Sequence, residues 1–252
     1  MVRRSVLAMF AVVAIVLGGV VVSIPAGAVV DSATIVPSPN AGTNNDELYS
    51  VSCVSVSDCV AVGYTDTGSV DQTLAMVWDG TDWSIVSSPN AGTSTDALYS
   101  VSCVSASECV AVGSTYTGSV NETLVMVWDG SVWSIVPSPS PGTINDRLDS
   151  VSCVSVSDCV AVGYTDTGSV DETLVMVWDG TDWSIVSSPS PGTSDDFLES
   201  VSCVSVSDCV AVGGTYTGSG YETLVVSLTG PVPPSTTTTT VSADPVAPAF
   251  TG

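Results

Sequence analysis

The 252 residues hold 26 acidic side chains against three arginines, with no lysine and no histidine. That balance excludes imidazole and amine catalysis, lysine-based phosphate binding and a basic surface for nucleic acid. A hydrophobic content of 44% is too high for a disordered acidic tail and leaves enough chain for a sizeable core. In chain order, Arg3 and Arg4 precede an apolar run of about 19 residues from Val6 to Ile24, which ends in Pro25-Ala26-Gly27-Ala28. A basic start, an apolar stretch and small residues at 26 and 28 predict a signal peptide over 1–28, cleaved after Ala28. The run is also long enough to serve as an uncleaved membrane anchor. After cleavage, Arg147 alone faces the 26 carboxylates.

From residue 33 onward the chain repeats. Ser-Val-Ser-Cys begins at Ser50, Ser100, Ser150 and Ser200, a period of 50 without insertion. Each unit offers four strand-like runs, in the first copy Leu48 to Cys53, Cys59 to Tyr64, Thr73 to Trp78 and Trp83 to Val86. Valine, threonine and aromatic residues fill them, with Gly, Asp, Ser and Pro between, and no helical period appears. Four short strands in 50 residues match one blade of a β-propeller. The expected fold is all-β, a four-bladed propeller of repeats 48–97, 98–147, 148–197 and 198–230. Ala33 to Pro39 is a stray counterpart of Trp83 to Pro89, and the last copy lacks that strand. The segment 33–39 is therefore expected to complete the last blade and close the ring. A solenoid, or half of a larger ring formed by two chains, is the alternative.

Ala61-Val62-Gly63, Trp78-Asp79-Gly80 and Trp83 in the first unit resemble the kelch-like blade repeats of secreted bacterial propellers, over about residues 33 to 230. The glycine pair usual in a kelch blade stands only at Gly213-Gly214. What the resemblance implies is a binding surface, with its ligand open.

Eight cysteines fall in four Cys-x5-Cys pairs: Cys53 and Cys59, Cys103 and Cys109, Cys153 and Cys159, Cys203 and Cys209. An even count in an exported chain predicts disulfides, and the five-residue spacer lets each pair close across one hairpin. A metal or redox site is disfavoured by this spacing and by the lack of histidine. No cofactor and no metal site are expected.

Six tryptophans form the pairs Trp78/Trp83, Trp128/Trp133 and Trp178/Trp183, which read as packing groups or else as stacking platforms for sugars. Asp66 and Asp71 flank a glycine turn, a weak calcium pattern that Tyr116 and Asn121 break in the second copy. Asp79, Asp129 and Asp179 precede glycine as turn formers. Near-identical copies lack the asymmetric set of acids that catalysis needs, and Asp149, Asp195, Asp196 and Glu199 show no recognisable arrangement. The chain therefore reads as no enzyme, with no catalytic residue named.

From Pro231 the composition turns to proline and threonine, so 231–252 reads as a linker or stalk. Its end, Pro248-Ala249-Phe250-Thr251-Gly252, is similar to the sorting signals that sortases join to bacterial cell walls. The resulting expectation is a secreted or cell-surface bacterial repeat module with a binding or structural role. Its partner would be an extracellular ligand, glycan or protein, and not nucleic acid, with a membrane or cell-wall tether left open. The alternative is a propeller-type carbohydrate-active enzyme using Asp and Glu.

Overall fold

The computed structural model describes residues 16–17, 20–21, 32–92, 94–205 and 207–230. Most of the expected signal peptide and the whole of segment 231–252, with its sorting-like motif, lie outside the described residues. The chain divides into the units Met1–Pro37 and Ser38–Gly252. In the first, Val16–Leu17 (β1) pairs antiparallel with Val20–Val21 (β2).

The second unit is an all-β array of four propeller blades. Sheet 1 holds Asp46–Cys53 (β3), Cys59–Asp66 (β4), Asp71–Trp78 (β5) and Trp83–Val86 (β6). Sheet 2 holds Asp96–Ser105 (β7), Glu108–Tyr116 (β8), Asn121–Trp128 (β9) and Trp133–Val136 (β10). Sheet 3 holds Asp146–Ser155 (β11), Asp158–Asp166 (β12), Asp171–Trp178 (β13) and Trp183–Val186 (β14). Sheet 4 has three strands, Asp196–Ser205 (β15), Asp208–Tyr216 (β16) and Tyr221–Thr229 (β17). All neighbours within a sheet run antiparallel, and no helix occurs among the described residues. None is therefore long and apolar enough there to cross a membrane.

Local chemistry sets each hairpin. Between β5 and β6 the turn places Gly80 at a φ of 93°, a region that glycine enters without a Cβ clash. Asp79 locks that turn by accepting hydrogen bonds at Oδ1 from the backbone N–H groups of Thr81 (2.8 Å) and Asp82 (2.9 Å). The pairing then sets Trp78 opposite Trp83, and the two rings tilt together at 5.6 Å. Between β3 and β4 the register shifts between Leu48 and Ser50, a bulge opposite Gly63. A Cβ on Gly63 would run into the carbonyl of Glu47, so the sharp approach of the two strands requires glycine. Each hairpin is stapled by a disulfide, Cys53–Cys59, Cys103–Cys109, Cys153–Cys159 and Cys203–Cys209. Four disulfides fit an oxidising compartment.

The core lies between sheets. One cluster joins Val60, Val62 and Ala75 of sheet 1 to Leu98, Val101, Ala111, Leu124, Met126 and the Trp128/Trp133 pair of sheet 2. The next joins sheets 2 and 3 through the same positions 50 residues on, and the third joins sheets 3 and 4. Hydrogen bonds mark each joint. Val101 and Cys103 donate their backbone N–H groups to the hydroxyls of Ser50 (3.2 Å) and Ser52 (3.0 Å). Val151 and Cys153 use Ser100 and Ser102 in the same way, and Val201 and Cys203 use Ser150 and Ser152. The Ser-Val-Ser-Cys signature is thus a joint: its valine is buried in the last three copies, its cysteine is bonded in the hairpin, and its serines in the first three copies hold the following blade.

The closing strand expected at 33–39 is not formed. Residues 32–39 contain no strand, Ile35 is 98% exposed, and sheet 4 keeps three strands. The outer faces of sheets 1 and 4 are open: Leu48 and Val51 are 45% and 60% exposed, against 0% and 6% for Leu98 and Val101. The physical reason lies in the segment itself, where Ala33 stands in the place at which Trp133 and Trp183 anchor their fourth strands into the joints.

Candidate functional site

Blade framework and blade variation separate cleanly in space. Most joint positions are the same in copy after copy, whereas positions 47, 49 and 64 of the first two strands and their equivalents vary in kind. Residues 47, 97, 147 and 197 are Glu, Ala, Arg and Phe; 49, 99, 149 and 199 are Tyr, Tyr, Asp and Glu; 64, 114, 164 and 214 are Tyr, Ser, Tyr and Gly. β3, β7, β11 and β15 are each the first strand of their sheet, and the bulge after residue 48, 98 or 148 turns these side chains out of the joint.

These residues meet one another. Tyr49 stacks on Tyr64 with centroids 5.8 Å apart and tilts against Tyr99 of the next sheet at 5.6 Å. The Arg147 guanidinium lies over the Tyr99 ring at 4.7 Å and near that of Tyr164 at 5.5 Å. Arg147 donates through Nε to Asp149 Oδ1 at 2.6 Å and pairs with it through Nη2. Asn145 donates to the Tyr164 hydroxyl at 2.8 Å. In the last copy Phe197 and Tyr216 both pack edge-on against Tyr221. Six of the seven tyrosines enter these contacts, as does Arg147, the one cationic side chain among the described residues.

Burial and like charge tune the group. Burial pushes the Tyr49 phenol up to about 12, with Glu47, to which its hydroxyl donates, adding to the shift. The Asp149 carboxyl is raised, first by burial and then by the Glu199 charge, with Arg147 opposing. Arg147 is raised: burial works against its charge, and Asp149 more than offsets it. The desolvation falls mainly on Asp149, whose side chain is 11% exposed against 39% for Arg147.

The other candidates take up different positions. Trp128, Trp133 and Trp183 are buried in the joints, and Trp78, Trp128 and Trp178 donate their indole N–H to the carbonyls of Val56, Ala106 and Val156. Asp66 is spent on its own turn, accepting from the Gly68 N–H at 2.6 Å. Asp71, partly buried beside it, is raised by desolvation and by the Asp66 charge. No group of three potential metal ligands occurs among the described residues. Asp196 is buried and accepts from the Gly192 N–H, and Asp195 lies by Asp171 and Tyr221. Of Asp149 and Glu199, without recognisable arrangement in the sequence, Asp149 pairs with Arg147 and feels the charge of Glu199. The signal that finds this group is disagreement among copies that otherwise agree.

No family model and no curated protein matches the chain. Among solved structures it is similar to YCF48 bound to a D1 peptide, at 15% identity over 70% of this chain and 53% of that one, with a TM-score of 0.43. It is also similar to fructan 1-exohydrolase IIa from Cichorium intybus, at 11% identity over 75% of this chain and 43% of that one, TM-score 0.47. A third is a putative glycoside hydrolase from Parabacteroides distasonis, at 10% identity over 69% of this chain and 63% of that one, TM-score 0.43. In each case the chain spans less than two thirds of the other protein, and likeness at this level assigns neither ligand nor activity. The reading of the chain as no enzyme is nevertheless withdrawn, because two of these structures are named as a fructan exohydrolase and a glycoside hydrolase. What stands is a disulfide-rich module of propeller-type blades.

Proposed function

We propose that this is an exported, kelch-like binding module, secreted or held at the cell surface, whose ligand is a glycan lying along the first strands. One observation supports the reading: the copies largely keep their joints and vary where Tyr49, Tyr64, Tyr99, Arg147 and Asp149 gather, with the Glu199 charge acting on Asp149. Half-exposed tyrosine faces suit the C–H faces of sugar rings, and the carboxylates beside them accept hydroxyl hydrogen bonds. A surface so rich in acid favours an uncharged or amine-bearing sugar over an anionic one. Glycan-array binding followed by calorimetry tests this, with Tyr49→Ala expected to weaken binding at least tenfold and Trp178→Phe to leave it unchanged. Binding equal in the Tyr49 variant, or no glycan retained, overturns it. The hydrolase alternative uses the same carboxylates, and product release abolished by Asp149→Asn would identify it.

A further inference from the structure

Each internal joint has two chemically distinct sides, and one of each is left open at the ends of the array. On sheet 4 the open side presents Val210, Val212 and Val225, exposed at 48%, 42% and 65%, whereas Val162 and Val175 at the corresponding places of sheet 3 are buried. Ser200 and Ser202 are exposed as well, and neither accepts the backbone hydrogen bond that Ser150 and Ser152 accept. On sheet 1 the open side presents Leu48 and Val51, and Trp83 is less buried than Trp133. A cavity of about 400 Å3 lined by Val160, Val177, Val186 and Leu228 lies where interior joints are filled by the tryptophan of a fourth strand.

We propose that a second copy of this chain docks head to tail, setting the open face of its sheet 1 on the open face of sheet 4. The two faces are the unmatched halves of one joint already made three times within the chain, so the contact continues an established interface. In it, the Val51 and Cys53 N–H groups of the incoming copy donate to Ser200 and Ser202, as Val101 and Cys103 donate to Ser50 and Ser52. Such a contact is heterologous: it closes as a ring of two chains or continues as a filament. The chain's own sheets 1 and 4 leave both faces exposed, which is why the occupant is another copy.

Sedimentation of the purified chain across a concentration series tests the contact. The wild type should sediment at twice the monomer mass or more. Val51→Asp and Val212→Asp, each on one exposed face, should sediment as monomers while keeping the wild-type circular dichroism and melting cooperativity. Their equimolar mixture should recover an assembly of exactly two chains, because one intact face of each kind survives. A chain carrying both substitutions should stay monomeric in every mixture with itself. A wild type that is monomeric throughout, as expected if one chain closes on itself, overturns the proposal. So does a mixture in which neither variant rescues the other.

Discussion

The middle of the array and its two ends are built from nearly the same residues, yet they differ in what those residues do. Leu98 and Leu148 are sealed between sheets, whereas Leu48 is 45% exposed at the same place in its own sheet. Sequence identity between copies therefore does not carry over to energetic identity. A residue's contribution to stability depends on the neighbouring blade that covers it, as in other repeat arrays.

Leu148→Ala against Leu48→Ala gives the widest contrast. Introduced into the Val212→Asp chain, which stays monomeric and so leaves the sheet 1 face uncovered, the first should cost about 3 kcal/mol by leaving a cavity and the second under about 1 kcal/mol, read as midpoints of chemical denaturation. Equal losses would mean that the end face is covered in solution. The serines give a finer contrast. In the same monomeric chain, Ser102→Ala leaves the Cys153 N–H without its acceptor and should cost about 1 to 2 kcal/mol, whereas Ser202→Ala should change stability by no more than about 0.5 kcal/mol. The smallest effect concerns pH. Asp129 is held below the usual carboxylate range, chiefly by the Val132 N–H and then by Ser131, so its stabilisation is present above the unfolded value and lost as pH falls through its lowered one. Asp149 is raised, so it destabilises the fold at neutral pH, and that burden is relieved as pH falls through its raised value. Melting curves across the acid range should show Asp129→Asn blunting the acid loss and Asp149→Asn raising stability near neutrality.

Much of this was legible in the residues. The Ser-Val-Ser-Cys period and the Trp-Asp-Gly-x-x-Trp hairpins specify repeated sheets, because turn chemistry and strand alternation are local. The joint was less legible: nothing in the string says that Ser50 serves the backbone of Val101 rather than its own hairpin, since that bond crosses from sheet to sheet. Closure by residues 33–39 was inferred from alignment with Trp83 to Pro89, but Ala33 brings no indole to bury. The group around Arg147 was hidden for the opposite reason. Its members are scattered singly across the copies, and only the bulges at the first strands turn them to one place.

The serine hydroxyls that hold one first strand to the next have a consequence for how such a chain grows. Because every seam uses the same two donors and the same two acceptors, a whole 50-residue cassette gained or lost by recombination would find its seams ready-made. Length is then a freely adjustable property of the lineage, while the handful of side chains turned out of the seams supplies the individuality of each member.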